Sequence, residues 1–266
     1  MSICKHSIFV LILITLFVPR CLADTPDLRL HNKCLYPTVM VALEGRNSGG
    51  TGIIIRSTKV GNEYHNVFLT AGHVVNHSSL FNVHVYEYQD HSTIKEEIIL
   101  PCSFYAIDMK RDLAIGVFVS DKKMPTAEIN FNPKVFIGND VLRIGCGLGD
   151  EPRLDVGKIS SVKTTMGHHL DMIRTTIHTL PGDSGSGLFS DYKIIGIMIM
   201  IRGRDTLQGR QIFPMMSYAV PIQNFQTWSI ESNNALSFGW DNKKIIPMLP
   251  IYEIKLMRDF EIIEEE

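Results

Sequence analysis

The sequence predicts an all-β protein built from many short antiparallel strands. Three observations carry that expectation. From Thr38 onward the apolar segments are short and rich in β-branched residues, each is bounded by Gly, Pro, Asn, Asp or Ser, and none sustains a helical period. A sandwich or barrel of short strands is the architecture such a pattern supports.

In chain order the first strands are "TVMVALE" (38–44), "GIIIRS" (52–57) and "NVFLTA" (66–71), followed by the alternating "FNVHVYEY" (81–88), "EEIILP" (96–101) and "LAIGVFVS" (113–120). A second series comprises "DVLRIG" (140–145), "GKISSVKTT" (157–165), "IIGIMIMI" (194–201) and "MSYAVPI" (216–222). After Pro221 the character changes: "IQNFQTWSI" reads as one short helix, and residues 231–266 mix polar and apolar segments without a clear period before closing on the acidic "EIIEEE". No repeat of fixed period is present.

The chain has 266 residues, 45% hydrophobic and 20% charged, enough for one large domain or two small ones. Lys+Arg 26 against Asp+Glu 28 leaves a formal charge of -2, which provides no field for nucleic acid or an anionic membrane. At the N-terminus, Lys5 and His6 precede an apolar run from Ile8 to Val18 that Pro19 ends, and Ala23 offers a small residue before Asp24. This reads as an export signal, residues 1–23, cleaved after Ala23 and directing the chain to a periplasm or the cell exterior. As a helix the run would span only about 16 Å, too short for a bilayer core of about 30 Å, so no permanent membrane anchor is expected. Cleavage would leave Cys34, Cys102 and Cys146. In an oxidising compartment these give one disulfide and one thiol, or three buried thiols acting as small hydrophobes.

Serine nucleophiles need a base within hydrogen-bond reach and a third group to orient that base. "LPGDSGSGLF" (180–189) brings glycines around Ser184, so that the backbone amides of Gly182 and Ser184 can point at one oxygen and form an oxyanion hole, although a plain turn uses the same residue types. "FLTAGHVVN" sets His73 at the end of a strand behind the small residues Ala71 and Gly72. "HVVNH" also spaces His73 and His77 as metal ligands on a helix would be, but no acidic or cysteine cluster completes a set, and no metal or other cofactor is expected. "KRDLAIGVFV" offers Asp112 at a strand entrance, with Asp108 as its rival; spacing alone does not choose between them.

These three segments, in the order His, Asp, Ser, resemble the chymotrypsin-like (trypsin-like) serine proteases. "TAGHV" resembles the histidine motif, "RDLAIG" the aspartate segment and "GDSGSG" the serine motif, and the match selects Asp112 over Asp108. The spacings, 39 residues from His73 to Asp112 and 72 from Asp112 to Ser184, are similar to those of the bacterial branch with the high-temperature-requirement proteases and secreted glutamyl endopeptidases. The resemblance implies two six-stranded antiparallel β-barrels with the active site in the cleft between them, spanning residues 24–229, with 230–266 as an extension of no assigned role. It further implies a secreted serine endopeptidase acting on polypeptides through His73, Asp112 and Ser184.

Two departures from the family pattern shape further expectations. The position six residues before the serine, acidic in trypsin-like enzymes, is His178 here, so Lys or Arg preference is not expected. The strand containing Met198, Ile199, Met200 and Ile201 should wall the primary pocket, which His178 also lines, and make it narrow and apolar, favouring a small aliphatic residue before the cut bond; His178 and Arg202 keep glutamate as the alternative. No Arg-Ile-Val-Gly-Gly segment precedes the first strand, so Asp183 must find a partner other than a newly cut N-terminus. The competing reading is a catalytically inactive protease-fold binding or adhesion module.

Overall fold

The computed structural model describes residues 27–44, 49–75, 80–91, 93–166, 169–206, 209–231, 238–241 and 244–247, and side chains within these outside 163–170, 200–216 and 229 onward. The leader expected at residues 1–23 lies outside the described residues.

Strands β1 (Thr38–Leu43), β2 (Gly49–Val60), β3 (Glu63–Thr70), β4 (Phe81–Tyr88), β5 (Ile94–Asp108) and β6 (Leu113–Ser120) close into an antiparallel barrel in the order β1-β2-β3-β6-β5-β4. After a connection holding the short β7 (Glu128–Ile129), a second set forms from β8 (Asp140–Gly145), β9 (Arg153–Met166), β10 (His169–Thr175), β11 (Gly187–Ser190), β12 (Lys193–Thr206) and β13 (Gly209–Pro221). These pair as β11-β8-β9-β10-β13-β12, and β12 returns to β11, closing a second six-stranded barrel to which β7 adds in parallel along β12. Strands β14 (Phe238–Asp241) and β15 (Lys244–Pro247) form a separate hairpin. The two-barrel architecture is thus the one the sequence motifs imply.

The continuous apolar runs have a structural cause. Successive side chains on a strand point to opposite faces. Ile54, Phe68, Ala114 and Phe118 turn into the first barrel with Val39, Val41, Val83 and Val85. Their neighbours Ile53, Leu69, Leu113 and Ile115 turn outward and pack with Ile197, Ile199 and Val220 of the second barrel. Strands buried on both faces read as unbroken hydrophobic runs. β4 instead alternates, with Phe81, Val83 and Val85 buried and Asn82 and His84 half-buried. Each buried aliphatic or aromatic side chain contributes about 1.5–3 kcal/mol, so the seam between the barrels is a core in its own right.

The short helix expected over "IQNFQTWSI" forms as Ile222–Glu231, and its Ile222, Phe225 and Trp228, three residues apart, join that seam. At the other end, the Asp27 carboxylate caps a helical turn, accepting from the Arg29 amide at 3.0 Å and the Leu30 amide at 3.3 Å. The turn is tied to the second barrel by Tyr192, which donates to Asp27, and to the first by a 2.7 Å contact of the Tyr36 hydroxyl with His91 Nδ1.

No disulfide joins Cys34, Cys102 and Cys146. Each is buried in a different core cluster, and burial pushes the Cys34 thiol up to about 12, so the three behave as small hydrophobes. No helix among the described residues is long and apolar enough to cross a membrane.

Candidate active site

β3 ends at Thr70, and after Ala71 a helical turn, Gly72–Val75, carries His73. Across from it, β5 and β6 are joined by a turn that Asp108 organises: its carboxylate accepts from the Lys110 amide at 2.9 Å, the Arg111 amide at 3.1 Å and the Arg111 guanidinium at 2.7 Å. That turn delivers Asp112 with φ 54°, a left-handed conformation Asp tolerates better than most side chains. Asp108 is therefore the scaffold and Asp112 the group presented.

The Asp112 carboxylate accepts from the His73 backbone amide at 2.7 Å and lies 2.8 and 3.0 Å from Nδ1 through its two oxygens. Its side chain is 8% exposed and that of His73 43%. An ionised carboxylate in this place holds the proton on Nδ1 and leaves Nε2 as an acceptor.

The serine loop consists of two consecutive turns. The Asp183 amide donates to the Leu180 carbonyl at 3.0 Å around Pro181 and Gly182, and the Ser186 amide donates to the Asp183 carbonyl at 3.1 Å around Ser184 and Gly185. Gly182 and Gly185 adopt φ of 98° and 93°, the sign that type II turns require at their third position. A Cβ on Gly185 would stand 2.0 Å from the Thr51 carbonyl oxygen, so that position also has no room for a side chain. The loop is gripped from both barrels: Thr51 donates its amide to the Ser184 carbonyl at 2.8 Å, and the Gly185 amide donates to the Met198 carbonyl at 2.7 Å. Half-buried Ser184 donates its hydroxyl to the Ile199 carbonyl at 3.4 Å. Among the described residues, the Gly182 and Ser184 amides donate to no acceptor within the protein.

Asp183 has the partner that the sequence left open. It is Arg143 of β8, fully buried, whose guanidinium donates to the Asp183 carboxylate and to Asp155. The same group reaches the His178 carbonyl at 3.3 Å, the Leu180 amide donates to Asp183 at 2.6 Å, and Arg153 stands 3.6 Å from it. Burial pushes the Asp183 carboxyl up, opposed chiefly by Arg143; burial pulls the Arg143 guanidinium down, opposed by Asp183 and then Asp155. Both charges are removed from water, and each is the main compensation for the other.

Comparison with known proteins identifies the family. A trypsin-like peptidase domain matches residues 50–197, from β2 to β12, more than half of the chain. The chain belongs to the trypsin-like peptidase family. Over 145 residues it is 29% identical to a Do-like protease homologue, Do-like 14 of Arabidopsis thaliana, an alignment covering 50% of this chain and 32% of that protein. The chain thus spans about a third of that relative's length. The MamO protease domain from Magnetospirillum magneticum, solved in its apo form, superposes with a TM-score of 0.56 at 16% identity, covering 74% of this chain and 97% of that one, a likeness of fold.

The residues expected to shape a primary pocket are dispersed. Met198 is 2% exposed in the core of the second barrel, with Val141, Leu188 and Ala219. Ile199, 3% exposed, faces the seam instead. The His178 side chain is exposed while its carbonyl serves Arg143. The side chains of Met200, Ile201 and Arg202 lie outside those described. The residue that sequence reasoning missed is Arg143. Its signal was a lone cation inside the apolar strand "DVLRIG", on the same face as the buried Val141.

Proposed function

We propose that this peptidase is a serine endopeptidase, exported after removal of residues 1–23, in which Ser184, His73 and Asp112 act as a triad. The observation that carries the reading is the buried Asp112 carboxylate on Nδ1 of a half-exposed His73, beside a rigid serine loop with two uncommitted amides. In the reaction the Ser184 hydroxyl leaves the Ile199 carbonyl and turns to His73. Oγ attacks the scissile carbonyl carbon as Nε2 takes its proton, and the Gly182 and Ser184 amides hold the oxyanion. Collapse of the tetrahedral species expels the amine, which receives the proton from His73; water then hydrolyses the acyl-enzyme by the same steps. Asp112 keeps the imidazole oriented and stabilises its cationic form. Because Arg143 neutralises Asp183 from within the fold, no newly cut N-terminus is needed, and protein beginning at Asp24 is active without further cleavage.

A fluorophosphonate probe tests this directly. The expected result is labelling of Ser184 and peptide hydrolysis, both lost in Ser184→Ala with the melting temperature retained. The second reading, an inactive protease-fold binding or adhesion module, is favoured by the Ser184 hydroxyl being given to Ile199. A folded wild-type protein that takes no label would establish that reading instead.

A further inference from the structure

Thr51 lies in the first barrel, yet its amide and hydroxyl are committed to the second. It is fully buried. Its amide donates to the Ser184 carbonyl at 2.8 Å, and its hydroxyl donates to the Gly182 carbonyl at 2.8 Å. The same hydroxyl oxygen accepts from the Cys146 amide at 2.8 Å. Its own carbonyl is fixed by the Thr70 hydroxyl at 2.7 Å, three residues before His73.

The Cys146 contact bears on the oxyanion site through a short chain of bonds. Cys146 begins the tight turn Gly147–Gly149, in which Leu148 is held at φ 62°, and the Leu148 amide donates to the Pro181 carbonyl at 2.6 Å. A trans peptide points its C=O and N–H in opposite directions. Holding the Pro181 carbonyl therefore fixes the direction of the Gly182 N–H. The Asp183 carbonyl, held by the Ser186 amide at 3.1 Å and the Ser186 hydroxyl at 2.7 Å, fixes the Ser184 N–H in the same way. Rotation of the peptide between Pro181 and Gly182 would remove one of the two oxyanion donors without unfolding anything.

We propose that Thr51 is a positioning residue for the oxyanion site: its hydroxyl joins Gly182 to the Cys146–Leu148 turn and thereby holds the Gly182 amide toward the substrate. The inference rests on the serine endopeptidase reading and extends it to a residue outside the three motifs. The hydroxyl is bonded to both loops. Valine at this position keeps the shape and leaves the Gly182 carbonyl and the Cys146 amide without it.

The test compares wild type, Thr51→Val and Thr51→Ser on one peptide substrate. A peptide aldehyde, whose serine adduct places an oxygen in the oxyanion site, is compared with the matching alcohol, which forms no adduct. Thr51→Val is expected to lower kcat by about 10- to 100-fold with KM nearly unchanged and to weaken the aldehyde by a similar factor, while the alcohol binds as before. Thr51→Ser, which keeps the hydroxyl, restores most of kcat. Unchanged kcat in folded Thr51→Val, or equal weakening of aldehyde and alcohol, overturns the assignment. Thr51→Cys, similar in volume with a weaker donor, is read by the same criteria should the valine variant not fold. Failure of wild-type Ser184 to take a fluorophosphonate label rejects the endopeptidase reading itself, which separates the two outcomes.

Discussion

Two buried aspartates flank the candidate site, and they are held in different ways. Asp112, 6% exposed, faces a histidine whose side chain is 43% exposed; Asp183, 1% exposed, faces an arginine that solvent does not reach. The first pair sits at the rim of its barrel, where water reaches the imidazole. The second is locked inside its barrel, with Asp155, the His178 carbonyl and the Leu180 amide as its further partners. The same residue type is set against a half-exposed imidazole in one place and inside fixed architecture in the other, and the difference lies in the partner and in access to water.

Breaking each pair in turn should separate the two roles. The largest effect on rate is expected from Asp112→Asn, which keeps the shape but loses the charge: kcat falls by about 10⁴-fold, with stability changed by about 1 kcal/mol. Steady-state kinetics beside urea unfolding would show that split. Arg143→Met should invert the pattern, costing about 3–5 kcal/mol of stability because it strands a buried carboxylate. Asp183→Asn should cost less, since Arg143 keeps Asp155.

A pH series sharpens the comparison. In Arg143→Met the uncompensated Asp183 carboxyl rises further above its unfolded value, so the folded state binds more protons than the unfolded one. Stability of this variant therefore falls as pH increases from the unfolded carboxyl range upward. Urea midpoints should lie closer to wild type at pH 5 than at pH 8, and the reverse order would refute the account. The smallest effect is expected from reductant: with no disulfide among Cys34, Cys102 and Cys146, dithiothreitol should leave the melting temperature where it is.

The sequence showed those parts of the site whose constraints are local. Small residues before His73 and positive-φ glycines around Ser184 are short-range requirements, and they read directly. Choosing Asp112 over Asp108 needed the family resemblance, because both aspartates stand at the same turn and only the fold reveals that Asp108 is consumed in shaping it. Arg143 could not be paired with Asp183 by spacing, since they are 40 residues apart and meet only when β8 and β11 close the second barrel. Alternation along β12 sends Met198 and Ile199 to opposite cores, so their apolar character reports packing. A peptide library giving no preference for small aliphatic residues would agree with that packing role.

The stretch over which the family is recognisable, 50–197, differs from the unit that can fold. It leaves out β1, which lies between β2 and β4, and β13, which lies between β10 and β12. A protein cut to that stretch would keep His73, Asp112 and Ser184 and yet have no closed barrel. Four strand edges, on β2, β4, β10 and β12, would be opened, each a row of unsatisfied amides and carbonyls ready to pair with another molecule. Such a fragment should aggregate, because the strands that seal the cylinders lie outside the segment that carries the signature.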